Sequence, residues 1–454
     1  MTTPSADSAV PAAEPPKASR SAIFIVFLVV FIDLLGFGIV LPLLPRYAAS
    51  YLGVFPESWR GAVLGILFSI FSLMQFVFSP MWGRLSDRIG RRPILLISLV
   101  GSVVFYGLFA FASNLSSDVA WLALALLFVS RMGAGIAGAS VSTAAAVIAD
   151  CTPPEKRARG MALIGAAFGF GFMFGPLIGY LGLYIFSRAH WAPGAMASLL
   201  SFGALLLAVR LLPETRRPGT NSPRKELFSL QHTAEVLRMP TVGTLVLIYF
   251  LAIFAFANFE GTLSVVTQSA FGLNDEQNFL VFAYVGFVLM VAQGGFYRRM
   301  ANKMPELVLL NYGVAMMFVG LLGLGVIAWF AHPAAAQSSM DNRPALEIGF
   351  FLALACSVFG FAFVNPSVTA LVSKRSDPTR QGEVLGVNQS FAALGRILGP
   401  FIGLTLFEIE PSRTLPYLAA VATLGIVVLL LPRIRRGSAP PSPEPRPADV
   451  LGQG

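Results

Sequence analysis

The sequence predicts an all-α membrane protein, twelve transmembrane helices arranged as two six-helix bundles. Three observations carry that prediction. The 454 residues are 56% hydrophobic and only 12% charged, about half the charge of an ordinary soluble domain. The apolar residues come in runs of about 20, the length that crosses a bilayer, with short polar loops between them. A motif of the first half also returns in the second: Gly175-Pro176-Leu177-Ile178-Gly179 reappears as Gly399-Pro400-Phe401-Ile402-Gly403. A worn copy of the stretch Gly83 to Pro93 lies at Gly295 to Pro305, with Arg298, Arg299 and Lys303 but no aspartate. Six helices per half, repeated once, explain both recurrences.

Residues 1–20 are rich in Ala, Pro and Ser and predict a disordered tail. Lys17 and Arg20 lead into the first apolar run, and no small-residue cleavage site follows it. It therefore reads as a retained helix and not a removable signal. Hydropathy places the spans near 22–45, 60–82, 94–114, 119–147, 158–183 and 191–212 in the first bundle (21–212). The second bundle (241–432) has spans near 241–268, 278–297, 306–330, 347–372, 384–407 and 413–432. Between the bundles, 213–240 is polar, carries Pro218, Pro223, Arg216, Arg217, Arg224 and Lys225, and reads as a linker. The Pro-rich tail 433–454 predicts disorder. Most of the 32 Lys and Arg fall in the tails, the linker and the loops on their side of the membrane. That bias makes this side cytoplasmic, with both termini on it.

The net charge of +9 sits in short loops between spans, which argues for lipid and against nucleic acid as its partner. Cys151 and Cys356 make neither a disulfide framework nor a metal site. With no nucleophile–base pair, metal set or phosphate loop, the sequence predicts no enzyme and no cofactor.

Four ionisable residues fall near the middle of apolar runs: Asp33, Arg131, Glu260 and Arg396. Each costs about 2.5–3.5 kcal/mol to insert there and should face a partner or a water-filled cavity. Two readings are open, static ion pairs between helices or working groups of a transport cycle. A carboxylate that alternates between buried and wet surroundings can take a proton on one face and release it on the other. Asp33 and Glu260 are candidates for that role, with Arg131 as a mobile counter-charge. Arg396 is a candidate to bind an anionic group or to neutralise a carboxylate. Gln75, Asn258, Asn388 and Gln389 are uncharged polar residues at the same depth, either cavity contacts or helix–helix hydrogen bonds.

The spelling of Gly83-Arg84-Leu85-Ser86-Asp87-Arg88-Ile89-Gly90-Arg91-Arg92-Pro93 closely resembles the signature between the second and third helices of the major facilitator superfamily. The resemblance implies a short cytoplasmic loop in which Gly83, Asp87, Arg88, Gly90, Arg91 and Arg92 latch that side in one conformation. In it, Asp87 would pair with Arg91 or accept from N–H groups at a helix N-terminus. The stretch from Phe31 to Pro42 around Asp33 resembles the first helix of the tetracycline-resistance efflux proteins. Arg131-Met132-Gly133-Ala134-Gly135-Ile136-Ala137-Gly138 resembles the fourth-helix motif of proton-coupled members. Gly171, Gly175, Pro176 and Gly179 resemble the fifth-helix signature of antiporters, although Ala162 and Tyr180 stand where that signature has glycines.

Together these resemblances imply two bundles that rock about a central site. The expected function is export of a small, mostly hydrophobic drug or metabolite in exchange for protons. Uptake symport or facilitated diffusion is an alternative, and a non-transporting sensor or scaffold a more remote one. The expected partners are a small-molecule substrate, protons and the lipid bilayer. The expected location is a plasma membrane or bacterial inner membrane, and the expected working unit a monomer.

Overall fold

The computed structural model describes residues 20–152, 157–215, 230–331, 343–376, 381–409 and 413–436, and all their regular structure is helical. Six long helices form the first half: α1 (Arg20–Val40), α2 (Glu57–Ile89), α3 (Arg91–Ala112), α4 (Ala120–Gly138), α5 (Arg157–Ile185) and α6 (Ala192–Leu211). The second half repeats the count with α7 (Pro240–Phe271), α8 (Asp275–Met290), α9 (Glu306–Phe330), α10 (Arg343–Arg375), α11 (Gln381–Ile409) and α12 (Leu415–Arg436). Among the described residues eleven segments are long and apolar enough to span a membrane, and α5 carries a shorter apolar stretch, Gly169–Ile185. The fold class matches the expectation. Of the two expected disordered tails, residues 1–19 and 437–454 lie outside the described residues, as do 216–229 of the linker, whereas Arg20 and residues 433–436 are helical, in α1 and α12.

Several boundaries differ from the hydropathy reading, each for a local reason. The helix α2 does not stop at residue 82 but runs on to Ile89, so the expected loop shrinks to Gly90. Arg84, Asp87 and Arg88 can extend a helix beyond the lipid because water solvates their side chains. Gly90 then breaks it with φ +111°, a conformation that L side chains rarely adopt. The fourth span is two helices, α4 and Val141–Cys151, interrupted at Ala139–Ser140. The first span ends at Val40, and the chain re-enters a short helix, Leu44–Ala49, with Pro45 in its first turn, where proline costs no hydrogen bond. Within the linker region the short helix Leu230–Arg238 packs against the start of α7, its Val236 fully buried. The C-terminal end of α8 loosens into a π-helical turn, Val291–Tyr297.

The halves meet along two seams, α2 against α11 and α5 against α8. Glycines allow the closest approaches. A Cβ on Gly65 would lie 2.8 Å from the Phe401 backbone, and one on Gly179 would lie 2.4 Å from the Phe279 ring. Call the end that holds the start of α1 and the finish of α12 the tail end, and the opposite one the far end. These approaches lie toward the far end, and there the halves are also bonded to each other. Asn278 Nδ2 donates to the Pro42 carbonyl at 2.9 Å, and Arg188 grips Glu276 through Nε and Nη2 at 2.8 and 3.2 Å.

Candidate functional site

Asp33 sits in the middle of α1, 6% exposed. Its carboxylate accepts a hydrogen bond from Ser102 of α3 at 2.8 Å and a longer one, 3.3 Å, from Ser140 at the break in the fourth span. Ser98 lies 2.8 Å from the Ser140 hydroxyl and extends the chain of polar groups. Tyr106 donates to the Asp33 main-chain carbonyl at 3.2 Å. That ring covers Gly36, where a Cβ would come within 2.4 Å of it. The pocket is thus made of α1, α3 and the fourth-span break, and its hydroxyls take the place of water. Sequence reasoning found Asp33 but not Ser102, Tyr106 or Ser140, because isolated hydroxyl residues in an apolar run carry no periodic signal.

Arg131 is 1% exposed, yet it does not pair with Asp33. Its guanidinium stacks over Phe71 at 4.5 Å and Phe37 at 5.8 Å, and its Nε and Nη2 have no hydrogen-bond partner. The ring quadrupoles recover part of the lost hydration. Glu260 and Arg396 likewise do not approach within ion-pair distance of each other. Among the described residues none of the four mid-membrane charges makes an ion pair, so they do not form static ion pairs between helices.

Arg396 differs from Arg131 in being exposed, and its position says to what. On the same face of α11, Gln389 reaches the Tyr249 hydroxyl, and Pro400 meets Gly261 of α7. That face therefore looks into the protein, and the space it borders is the gap between the halves. The ionisable neighbours of Arg396 are Tyr249 and Glu260 on α7. Tyr249 in turn donates to Asn365 of α10 at 2.6 Å.

The remaining polar candidates divide. Gln389 is exposed on this inner face, whereas Asn258 and Asn388 are fully buried with both amide atoms unpartnered. Asn258 is pressed against Gly399 and Gly403, so it lies in the α7–α11 contact and not on a cavity wall. Gln75 donates to the Gly138 carbonyl at 3.2 Å and ties α2 to the end of α4.

The helix-five glycines serve packing between helices. A Cβ on Gly171 would meet Leu34 at 2.7 Å, and one on Gly175 would meet Leu35 and Gly38 at 2.8 and 2.9 Å. With Pro176 inside the helix, they let α5 lie directly on α1 just after Asp33. Gly179, one turn on, presses on α8 across the seam.

At the tail end, Asp87 pairs with Arg91 at 2.6 Å, and Arg91 also reaches Asp150 at 3.2 Å. Glu214, just beyond α6, accepts from the backbone N–H groups of Arg91 and Arg92 at 2.9 and 3.1 Å. It satisfies donors that the start of α3 would otherwise leave open. Arg92 donates to the Val209 carbonyl at 2.6 Å. These bonds join α2, the start of α3, the end of the fourth span, and the end of α6 with the stretch just past it.

The far end holds a residue that the sequence did not single out. Arg46, 8% exposed, crosses from the short helix after α1 into the second half. Its Nε and Nη2 donate to the Ser264 carbonyl at 3.2 and 3.0 Å, and Nη2 also to Thr267 Oγ1 at 3.2 Å. Nη1 donates to the Leu273 carbonyl and to Asp275, both at 3.0 Å. Burial pulls this guanidinium below its usual range, and Asp275 opposes that shift. A charge at the end of an apolar run reads as a topology signal, which hid it.

The Major Facilitator Superfamily profile matches residues 26–400 and, in a second alignment, 316–453. The chain belongs to the major facilitator superfamily. It is a multi-pass membrane transporter and not an enzyme, so its substrate is a small molecule that it moves through the bilayer. Its relatives include the class G tetracycline resistance protein of Vibrio anguillarum, 30% identical over 92% of this chain and 98% of that protein. They also include the mouse major facilitator superfamily domain-containing protein 10, 28% identical over 88% of this chain and 90% of that one. Among solved structures, the human organic anion transporter MFSD10 (TETRAN) is 26% identical, with a TM-score of 0.61 over 93% of this chain and 100% of that chain.

Proposed function

We propose that this superfamily member exports a small, mostly hydrophobic compound in exchange for protons, with Asp33 as the proton carrier. The observation that supports it is the Asp33 pocket: a buried carboxylate held by two hydroxyls, with no cation in ion-pair reach. An ionised carboxylate is expensive in such surroundings, and moving water toward or away from it changes that cost. The Ser140 contact sits at a helix break, where a small bend opens or closes the pocket. Glu260 is a second proton site, and Arg131 is the counter-charge that approaches Asp33 in the other facing state.

In this reading the far end is the outer face, and the tails lie in the cytoplasm. The conformation at hand is sealed outside by Arg46 and its partners. The Gly83–Arg92 cluster is the latch of the opposite state. The membrane is a plasma or bacterial inner membrane, and the monomer is the working unit. The likeness to tetracycline resistance proteins supports a drug-like cargo, and the likeness to a human organic anion transporter supports one that carries charge.

The test uses inside-out vesicles with an imposed pH gradient, a pH-sensitive dye and a panel of lipophilic compounds. Substrate-evoked proton movement should occur in the wild type and vanish in Asp33→Asn. Movement unchanged in that variant shifts the role to Glu260. Transport of a labelled compound with no proton movement refutes antiport in favour of facilitated diffusion.

A further inference from the structure

We propose that Arg396 is an anion-recognition point in the central cavity, so that the transported compounds are amphiphilic organic anions. The inference deepens the export reading by naming its substrate class, and it stands even if the proton coupling fails.

The contrast between the two mid-membrane arginines carries the argument. Arg131 is enclosed by Phe37 and Phe71 and cannot meet a ligand without a rearrangement. Arg396 is accessible, faces the gap between the halves, and forms no ion pair although Glu260 lies close enough for each to feel the other. A guanidinium is a planar fork of donors suited to carboxylate, sulfonate or phosphate. Keeping one at membrane depth, unneutralised and open, is costly unless a ligand completes it.

The surroundings fit the rest of such a ligand. Between Tyr249 and Glu260 on α7 lies Phe256, stacked on Phe361 of α10 with ring centroids 3.8 Å apart. Phe361 is half-buried and stands one turn from Asn365, the partner of Tyr249. The site thus offers one cation with Glu260 beyond ion-pair distance, a small set of neutral hydrogen-bonding groups (Tyr249, Asn365, Gln389) and the Phe256–Phe361 pair. A neutral drug would leave the guanidinium without a counter-charge in contact, and an anion would supply one.

The probes share one scaffold and carry fixed charge: 2-naphthalenesulfonate, the neutral 2-naphthalenesulfonamide and a 2-naphthyl trimethylammonium ion. Binding is read as the ligand-induced rise in melting temperature of the full chain in detergent. This assay has no pH gradient, so its outcome is independent of proton coupling. The sulfonate should stabilise the wild type and the other two should not. Arg396→Gln should weaken the sulfonate by about ten- to hundredfold, the worth of one charge-assisted contact, and Arg396→Lys should recover part of it. The double variant Arg396→Gln with Glu260→Gln should stay weak. Recovery in the double variant would mean that Arg396 only neutralises Glu260, and it would overturn the proposal. Failure of the sulfonate to bind, equal binding of all three probes, or sulfonate affinity unchanged in a well-folded Arg396→Gln protein would overturn it too.

Discussion

Replacing Arg46 by Met keeps the apolar stem of the side chain and deletes the five donated bonds that cross the far end. Removing one partner of a buried charged pair costs about 3–5 kcal/mol. Asp275 is about one-third exposed, so water can reclaim it and part of that cost is screened. A net loss of about 2–3 kcal/mol for the sealed state is the resulting expectation, a shift of about 30- to 150-fold in the balance between facing states. A protein that rests at about 99:1 in the sealed form would then approach equal populations. Spin labels at Trp59→Cys and Leu418→Cys, exposed positions near the far ends of α2 and α12, read the separation of the halves there. The background carries Ser or Ala at Cys151 and Cys356. A second, longer distance should emerge in Arg46→Met and be weaker in Asp275→Asn, which removes one acceptor charge and leaves the carbonyl contacts. A distance distribution identical to wild type in monodisperse Arg46→Met protein refutes the idea that these bonds hold the far end shut.

Two further expectations concern stability. Gly90→Ala should cost about 1–3 kcal/mol through its φ of +111°, and a Cβ there would lie 2.4 Å from Glu214 Oε2. The double variant with Glu214→Ala should be destabilised by less than the sum of the single changes, as read by thermal unfolding, because the clash is then gone. For Arg131→Met, a buried guanidinium with two unpartnered nitrogens gives way to an apolar side chain of similar length. The melting temperature should hold or rise while transport is lost, and a fall of more than about 5 °C would mark Arg131 as a structural brace.

Much of this architecture was legible in the chain because the bilayer imposes it: apolar runs of spanning length, basic loops on one side and a repeated Gly-Pro motif leave few alternatives. Individual charges at membrane depth were equally plain, since Asp33 or Arg396 stands alone among apolar neighbours. Their partners were not. Ser102 and Ser140 meet Asp33 only because three helices converge, and nothing in the separate spans records which faces turn together. Distance in sequence also hid Arg46, whose partners lie more than 200 positions away. Local chemistry misled in the other direction at Gly83 to Ile89, where four charged or glycine residues suggested a loop. A helix can leave the lipid and continue in water, so polarity located the membrane boundary and not the helix end.

The first helix links the two features on which the transport reading depends. Asp33 lies near the middle of α1, and thirteen positions further on the same strand of chain delivers Arg46 into the second half. Between them Gly38 lies against Gly171 and Gly175 at backbone distance, a contact too close to deform gradually. A change at Asp33 that shifts α1 must therefore move α5 with it or lever the Arg46 segment. Spatial continuity alone does not establish coupling, but a double-mutant cycle measures it. The spin-label populations give a free energy for Asp33→Asn, for Arg46→Met and for both. Coupling through α1 predicts an interaction energy of about 0.5 kcal/mol or more, because once the far-end bonds are gone the proton site has less to pull on. Strict additivity would mean that the pocket and the seal respond independently, and that the proton acts on the halves by a route other than α1.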